Sequence, residues 1–268
     1  MHVKGESKEK ESSMKIQSAS FKSYGKTFYL LIIAALLVVA RPAQAQYKYQ
    51  VGLNFMLGFP KGEFKNNVNA TGIGGGGEFA YSPKSVPLGI GASFGYMVYG
   101  RERRREPFSS TIPDVTVEVV TTNNILLGHI FLRVQNKKGM LQPYMDGLVG
   151  FNYLFTDTEI KNSNRSDDGE IASSTNLDDG VFSYGIGGGV MMKVHTGNVF
   201  KDSTKTDKKG QRKKYSLLID LRMRYIIGGE AEYLKKGSIR RENSKVSYDI
   251  IKSKTDLLTA QIGVALEF

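Results

Sequence analysis

Residues 215–226 read YSLLIDLRMRYI. Tyr215, Leu217, Ile219, Leu221, Met223 and Tyr225 share one parity, and Ser216, Leu218, Asp220, Arg222, Arg224 and Ile226 the other. Successive side chains of a strand point to opposite faces, so this stretch is a ribbon with one apolar face and one that carries three charges. A helix would mix the two sets around its circumference.

The same sorting recurs in seven other places. Tyr47, Tyr49, Val51, Leu53, Phe55, Leu57 and Phe59 oppose Lys48, Gln50, Gly52, Asn54, Met56 and Gly58. Ile73, Phe79 and Tyr81 oppose Gly74, Gly76, Glu78 and Ala80; Leu88, Ile90, Phe94, Tyr96 and Val98 oppose Gly89, Gly91, Ser93 and Gly95. Between residues 117 and 135 the sorting is ambiguous. An arginine at the middle of a bilayer costs about 2–4 kcal/mol, which favours His129 and Arg133 on the face opposite Leu126, Ile130, Leu132 and Val134. Met145, Val149, Phe151, Tyr153 and Phe155 oppose Asp146, Gly150 and Asn152; Phe182, Tyr184, Ile186, Val190, Met192 and Val194 oppose Gly185, Gly187, Gly189 and Lys193. The chain ends on Leu258, Ala260, Ile262, Val264, Leu266 and Phe268, set against Thr259, Gln261, Gly263, Ala265 and Glu267. Eight amphipathic strands in sequence predict an all-β fold, a closed antiparallel up-and-down barrel. The β-like runs at 114–124 and 239–251 leave a ten-stranded count as the alternative.

Alternation alone does not say which face is outside, because a soluble barrel with an apolar lumen alternates too. Glycine settles the expectation. Of the 30 glycines, twelve lie on the polar faces named above, where an outer wall in water has no steric need for them and a lumen just wide enough for side chains does. The apolar face therefore points to lipid, and Glu78, Asp146, Asp220, Arg222 and Arg224 form an ion network that fills the lumen. Aromatic residues at the strand ends, Tyr47, Tyr49, Tyr81, Tyr215 and Phe268 at one end and Phe59, Tyr96, Phe155, Phe182 and Tyr225 at the other, fit the girdles of a transmembrane barrel.

Connections alternate short and long, as periplasmic turns and extracellular loops do. Residues 82–87 and 136–140 are short; residues 60–71, 100–114, 156–180 and 229–254 are expected to be extracellular loops. The link 196–214 (TGNVFKDSTKTDKKGQRKK) is long on the short side, and no reading of its residues explains it.

Residues 28–40 (FYLLIIAALLVVA) are apolar throughout, preceded by Lys15, Lys22 and Lys26 and followed by Ala43-Gln44-Ala45. That is the form of a secretory signal peptide, its core too short to span a bilayer as a helix. Residues 1–45 are therefore read as a leader cleaved after Ala45, with Met14 as an alternative start, and residues 46–268 as one barrel domain. The chain has no cysteine, which excludes disulfides, thiolate metal sites and a lipid-modified N-terminal cysteine. The net charge of +11 includes seven Lys/Arg and three Asp/Glu of the leader, so +7 remains for the exported part. For an exported chain that balance points to anionic lipid head groups, not to nucleic acid.

With its eight strands and its last run IGVALEF ending at Phe268, the chain resembles the small outer-membrane barrels typified by OmpX and the membrane domain of OmpA, within the porin-type barrels. The resemblance covers residues 46–268 and is one of pattern. It implies residence in the outer membrane of a Gram-negative cell, contact with lipid and lipopolysaccharide, and help from periplasmic chaperones and the barrel assembly machinery during biogenesis. Ile262, Val264, Leu266 and Phe268 would carry the signal which that machinery reads. It further implies a non-enzymatic barrel whose loops serve surface binding or structure, with a narrow pore and a lipid-modifying barrel enzyme as the alternatives.

Other motifs are weighed against plainer readings. Residues 72–77 (GIGGGG) match G-x-G-x-x-G formally, but a strand and not a helix follows, so these are lumenal glycines and no cofactor is expected. In residues 101–106 (RERRRE), Arg101, Arg103, Arg104 and Arg105 are candidates to grip lipopolysaccharide phosphates from a basic loop. Residues 164–169 (NRSDDG) and 176–180 (NLDDG) lack calcium-loop spacing and are read as turns, so no metal is expected. Of the histidines, His129 alone merits attention as a catalytic base, and a packed lumenal histidine is the plainer reading.

Overall fold

The computed structural model describes residues 47–83, 86–109, 112–162, 170–198, 214–242 and 245–268. Residues 1–45, read as a leader, the cleavage expected after Ala45 and residues 164–169 lie outside them, as do residues 199–213 of the unexplained link. Eight strands close a ring: β1 (Tyr47–Pro60), β2 (Gly72–Pro83), β3 (Leu88–Ser109), β4 (Ile112–Gln135), β5 (Leu141–Asn162), β6 (Glu170–Asn198), β7 (Lys214–Gly228) and a last strand, Leu257–Glu267. Between β7 and that last strand lie β8 (Glu230–Tyr233), β9 (Ile239–Glu242), β10 (Lys245–Tyr248) and β11 (Ile251–Lys254), so the last strand is β12. All ring neighbours are antiparallel, and β1 seals the barrel by pairing Leu53 with Gly77 of β2 and with Val264 of β12. The ten-stranded alternative is excluded for the ring: residues 117–124 belong to β4, while β9–β10 and β8–β11 are separate two-stranded ribbons.

The faces divide as the parity predicts. Leu53 (68 % exposed), Met145 (67 %), Ile186 (67 %) and Leu132 (64 %) point away from the barrel, whereas Arg133 (1 %) and Asp146 (3 %) point in. On β3 the exposed apolar row runs from Leu88 to Val98. Ten residue steps of roughly 3.3 Å, tilted by about 40°, give a belt of about 25 Å, the thickness of the apolar band of a transmembrane barrel. Tyr49, Phe79, Tyr81 and Phe268 cluster at its lower edge, and Tyr96, Tyr153 and Phe155 at its upper edge.

Two of the expected loops are strands instead. β2 ends at Gly72, beside Ile73↔Val98, and β7 ends at Gly228, opposite Ser183, but β3 to β6 continue upward, pairing Arg105 with Glu118 and Glu159 with Ser173. The result is a four-stranded wall above one side of the rim, which includes residues 101–106 and 176–180. On β3 and β6 both faces of this wall carry polar residues, so no apolar period marks those stretches as strand, whereas residues 114–124 of β4 do read as β-like. Register shifts at Val98/Gly100 and at Thr156/Asp157 lie at its base. The link 196–214 begins as strand as well, since Asn198 still pairs with Lys214.

The connection 60–71 holds a short helix, α1 (Gly62–Asn67), that the alternation did not reveal. Its Phe64 is fully buried, edge-on to Tyr99 (5.6 Å) and Tyr233 (5.2 Å), and with Val68, Leu234 and Leu257 it stoppers the upper mouth. Burial raises the pKa of the Tyr99 phenol above its ordinary value, and Tyr233 adds to the effect. At the lower mouth the amides of Gln50 and Gln135 donate to the Met191 sulfur, and Gln135 also to Gln142.

Glycines permit this closeness. A Cβ on Gly150, which faces inward on β5, would overlap the Gly128 carbonyl oxygen of β4; a Cβ on Gly147 of the same strand, facing outward, would meet nothing within 4 Å. Backbone cannot yield as a side-chain tip does. Gly150→Val is expected to abolish the compact, fast-migrating form on unheated gels, whereas Gly147→Val should keep it, with stability changed by no more than about 0.5 kcal/mol.

Candidate functional site

Inside the belt, six charged side chains from four strands share one buried cluster. Arg133 on β4 lies directly opposite Asp146 on β5 in the ladder. Its guanidinium donates from Nε to Asp146 Oδ1 (2.7 Å) and from Nη2 to Oδ2 (2.9 Å), then from Nη1 and Nη2 to the two Glu78 oxygens (3.1 and 3.3 Å). Arg224 donates to Asp146 Oδ2 (2.9 Å) and to the Ser93 hydroxyl oxygen (3.2 Å). Arg222 pairs with Glu78 and with Asp220, and the Tyr144 hydroxyl donates to Asp220 Oδ1 (2.7 Å). Three cations face three anions. The Arg133 guanidinium also lies over the rings of Tyr144 (4.1 Å) and Phe131 (4.7 Å), the geometry of cation–π attraction.

The structure thus brings together Glu78, Asp146, Asp220, Arg222 and Arg224, and adds Arg133 at the centre. Sequence reading set Arg133 inward but not in the network. The missing signal was the register: the turn 136–140 counted by itself would set 133 opposite 143, whereas the ladder begins at Gln135↔Tyr144 and so sets 133 opposite 146. Beside the cluster lies a cavity of ≈ 20 Å³ lined by Asn54, Ser93, His129, Arg224 and Gln261, with room for a single water.

His129 meets Ser183 across the lumen, Nε2 to Oγ at 2.9 Å, and Ser183 donates to Asn152 Oδ1 at 3.0 Å. A nucleophilic serine must give its proton to the base. Here the Ser183 hydroxyl stands between the His129 imidazole and the Asn152 amide. Ser183, His129 and Asn152 are all buried. Among the described residues no group of three or more His, Cys, Asp or Glu is placed to hold a metal.

The arginines of residues 101–106 lie on β3, not on a loop, and alternate faces. Arg101, Arg103 and Arg105 form an exposed outward column, with Arg103 near Glu118 (3.7 Å). Arg104 departs from the expected set: it faces the other way and donates through Nη1 to the Ile239 carbonyl (2.6 Å), bracing the segment between β8 and β9. Ile262, Val264, Leu266 and Phe268 form an exposed row on the outer face of β12, and Phe268 exchanges two backbone hydrogen bonds of 2.9 Å with Tyr49. At the lower rim, Lys137 donates to the carbonyls of Pro83 (2.7 Å) and Val86 (3.0 Å); burial lowers the pKa of its ammonium, with Lys48 adding repulsion against an opposing pull from Glu267.

No family model matches the chain, and no curated protein is similar to it in sequence. In fold it is similar to outer-membrane β-barrels. Neisserial surface protein A (NspA) matches with a TM-score of 0.32 at 8% identity, over 82% of this chain and 95% of that one. A major outer membrane protein from Thermus thermophilus matches with a TM-score of 0.35 at 12% identity, over 83% and 99%. The translocator domain of the autotransporter NalP from Neisseria meningitidis matches at 0.21 and 9%, over 94% and 98%. At such scores the barrel stands on its own strand register.

Removing one partner of a buried ion pair leaves the other charge uncompensated, at a cost of about 3–5 kcal/mol, whereas replacing both by apolar groups is often close to neutral. Arg133→Met is expected to lower stability by that amount, read as the shift of the urea midpoint of the compact band. Arg133→Met combined with Asp146→Leu should recover part of the loss.

Proposed function

We propose that the chain is a non-enzymatic outer-membrane barrel of a Gram-negative cell which holds the β3–β6 wall outside the cell as a binding or structural surface. The observation that carries this is a closed barrel apolar on its outside and charge-locked within. A surface of Leu, Ile, Val, Phe and Met a bilayer tall is a liability in water and a requirement in lipid, and closure leaves no strand edge inside the belt.

The chain enters this state as residues 46–268, after export on the leader 1–45 and cleavage behind Ala45. Both ends of the ring, Tyr47 and Phe268, stand at the short-turn end, which is then periplasmic, and the wall rises from the opposite end. The row Ile262, Val264, Leu266 and Phe268 serves as the recognition strand for the barrel assembly machinery, reached with periplasmic chaperones. Arg101, Arg103 and Arg105 stand just above the upper aromatic row, where lipopolysaccharide phosphates sit, and their planar forks suit phosphate oxygens. A pore is disfavoured by the stoppered mouths and the paired lumen, and a lipid-acting enzyme by the burial of His129, Ser183 and Asn152 inside that lumen.

Ile130 lies halfway along the outward row of β4, and Met140 lies in the lower turn. In lipid vesicles Ile130→Arg is expected to cost about 2–4 kcal/mol and Met140→Arg about 0–1 kcal/mol. The protein should fractionate with the outer membrane and migrate faster before boiling than after. A single band in the soluble periplasmic fraction, with both arginines tolerated, would mean that the apolar face does not meet lipid.

A further inference from the structure

A four-stranded wall that leaves its barrel has two outer edges, and this one treats them differently. The β3 edge is blunted: it carries Arg101 to Glu106 and Pro107, and the segment between β8 and β9 is tied to it by the Gly237 amide on Glu102 (2.7 Å) and by Arg104 on the Ile239 carbonyl. Charges, proline and a covering segment are the usual protections of an edge.

Among the described residues, the β6 edge has no charge, proline or cover over residues 172–177, and is interrupted by a bulge at Asn176. β6 pairs with β5 through Asp157↔Thr175, Thr158↔Ser174 and Glu159↔Ser173, but its pairing with β7 stops at Ser183↔Gly228. Above that point, among the described residues, the last contacts from the β7 side are the Gly229 amide on the Phe182 carbonyl (3.0 Å) and the Glu232 amide on the Asp179 carboxylate (2.8 Å). Residues 172–177 (ASSTNL) then run on with 172–175 exposed and without a charge or a proline; Asn176 is bulged between Thr156↔Leu177 and Asp157↔Thr175, so the regular edge, where alternate residues turn their backbone N–H and C=O outward, is 172–175. The four regular residues offer about 13 Å of ladder.

We infer that residues 172–175 take an extended peptide as an added strand, and that the peptide recognised is uncharged along the ladder and basic at the end nearest the barrel. Strand addition draws its affinity from main-chain hydrogen bonds. The charge of the partner follows from the acids beside the edge: Asp178 and Asp179 at its base, and Asp157 and Glu159 on the adjoining strand, against Lys161 paired with Glu159 (3.3 Å). The column of Arg101, Arg103 and Arg105 is three strands away, roughly 14 Å, beyond a Debye length at physiological salt. A second copy is a poor partner. It brings the same acids, and a two-fold axis along the membrane normal sets N–H against N–H where a ladder needs N–H against C=O.

This inference rests on the wall standing outside a membrane barrel, and the two fail separately. The probe is a fluorescein-labelled peptide, KKTVTVTV, titrated against the unaltered mature barrel in detergent, with EETVTVTV and KKTPTPTV as comparators. Saturable binding of the first is expected, at least about ten-fold tighter than of either comparator, with the advantage over the acidic peptide shrinking in about 0.5 M salt. Because the chain has no cysteine, Thr175→Cys gives a single thiol, and disulfide capture of peptides with cysteine at successive positions should peak at every second one. No saturable binding, equal binding of all three peptides, or capture without that period overturns the inference, provided the same sample runs as the compact band. Loss of that band from the unaltered protein counts instead against the barrel.

Discussion

Eight strands enclose a lumen so narrow that an inward side chain must be either absent or partnered. Everything else in this barrel answers to that constraint. Absence accounts for Gly150 and the other inward glycines, which let neighbouring backbones and the rings of Phe131 and Tyr144 come close. Partnership accounts for the six charges. A carboxylate on its own in such a space would lose hydration it could not replace; Glu78 meets all three arginines, and Asp146 meets two of them. The network is therefore a consequence of closure as much as a cause of stability. Buried ion pairs are weak evidence of net stabilisation, but they do fix register, since a slip of one residue between β4 and β5 would send Arg133 and Asp146 to opposite faces.

The same constraint moves function off the lumen. Phe64, Tyr99 and Tyr233 pack across one mouth and Gln50, Gln135, Gln142 and Met191 across the other, and the cavity beside the ion network has room for a single water. What remains available is the outside: a belt that answers to lipid, and the wall that four strands carry past it. Arg101, Arg103 and Arg105 face outward from that wall while Arg104 holds the segment behind it. A run that is uniform in sequence thus serves two purposes set only by parity.

Where one face meets lipid and the other a packed lumen, the sequence alternates strictly, and there the strand count, the facing of His129 and Arg133 and the inward charges could be read without coordinates. Above the rim β3 and β6 carry polar residues on both faces, alternation fades, and residues 100–109 and 170–180 read as loop although they are strand, while Val117 and Val120 of β4 remain buried. Phe64 escaped for a related reason: a six-residue helix is too short to show a period, and one buried aromatic is its whole signature. The membership of Arg133 in the network was not legible, because parity gives the face of a residue and not its height, and the height depends on where the turn begins, at Gln135↔Tyr144.

The wall is also the place where the usual economy of β-proteins is broken. Barrels exist because closure removes edges, and this one restores two of them by letting four strands outrun the other four. The β3 edge carries its correction in arginines, glutamates, a proline and a bracing segment. The β6 edge is left with alanine, serine, threonine and asparagine, held at its base by Asp179 and along its inner side by β5. An edge held by a rigid barrel loses little conformational entropy when a strand is added, so the ordering cost falls on the incoming peptide alone. Rigidity below and bareness above are the two properties that a template for strand addition requires. The contrast between the two edges of one sheet separates this arrangement from a general failure to protect them.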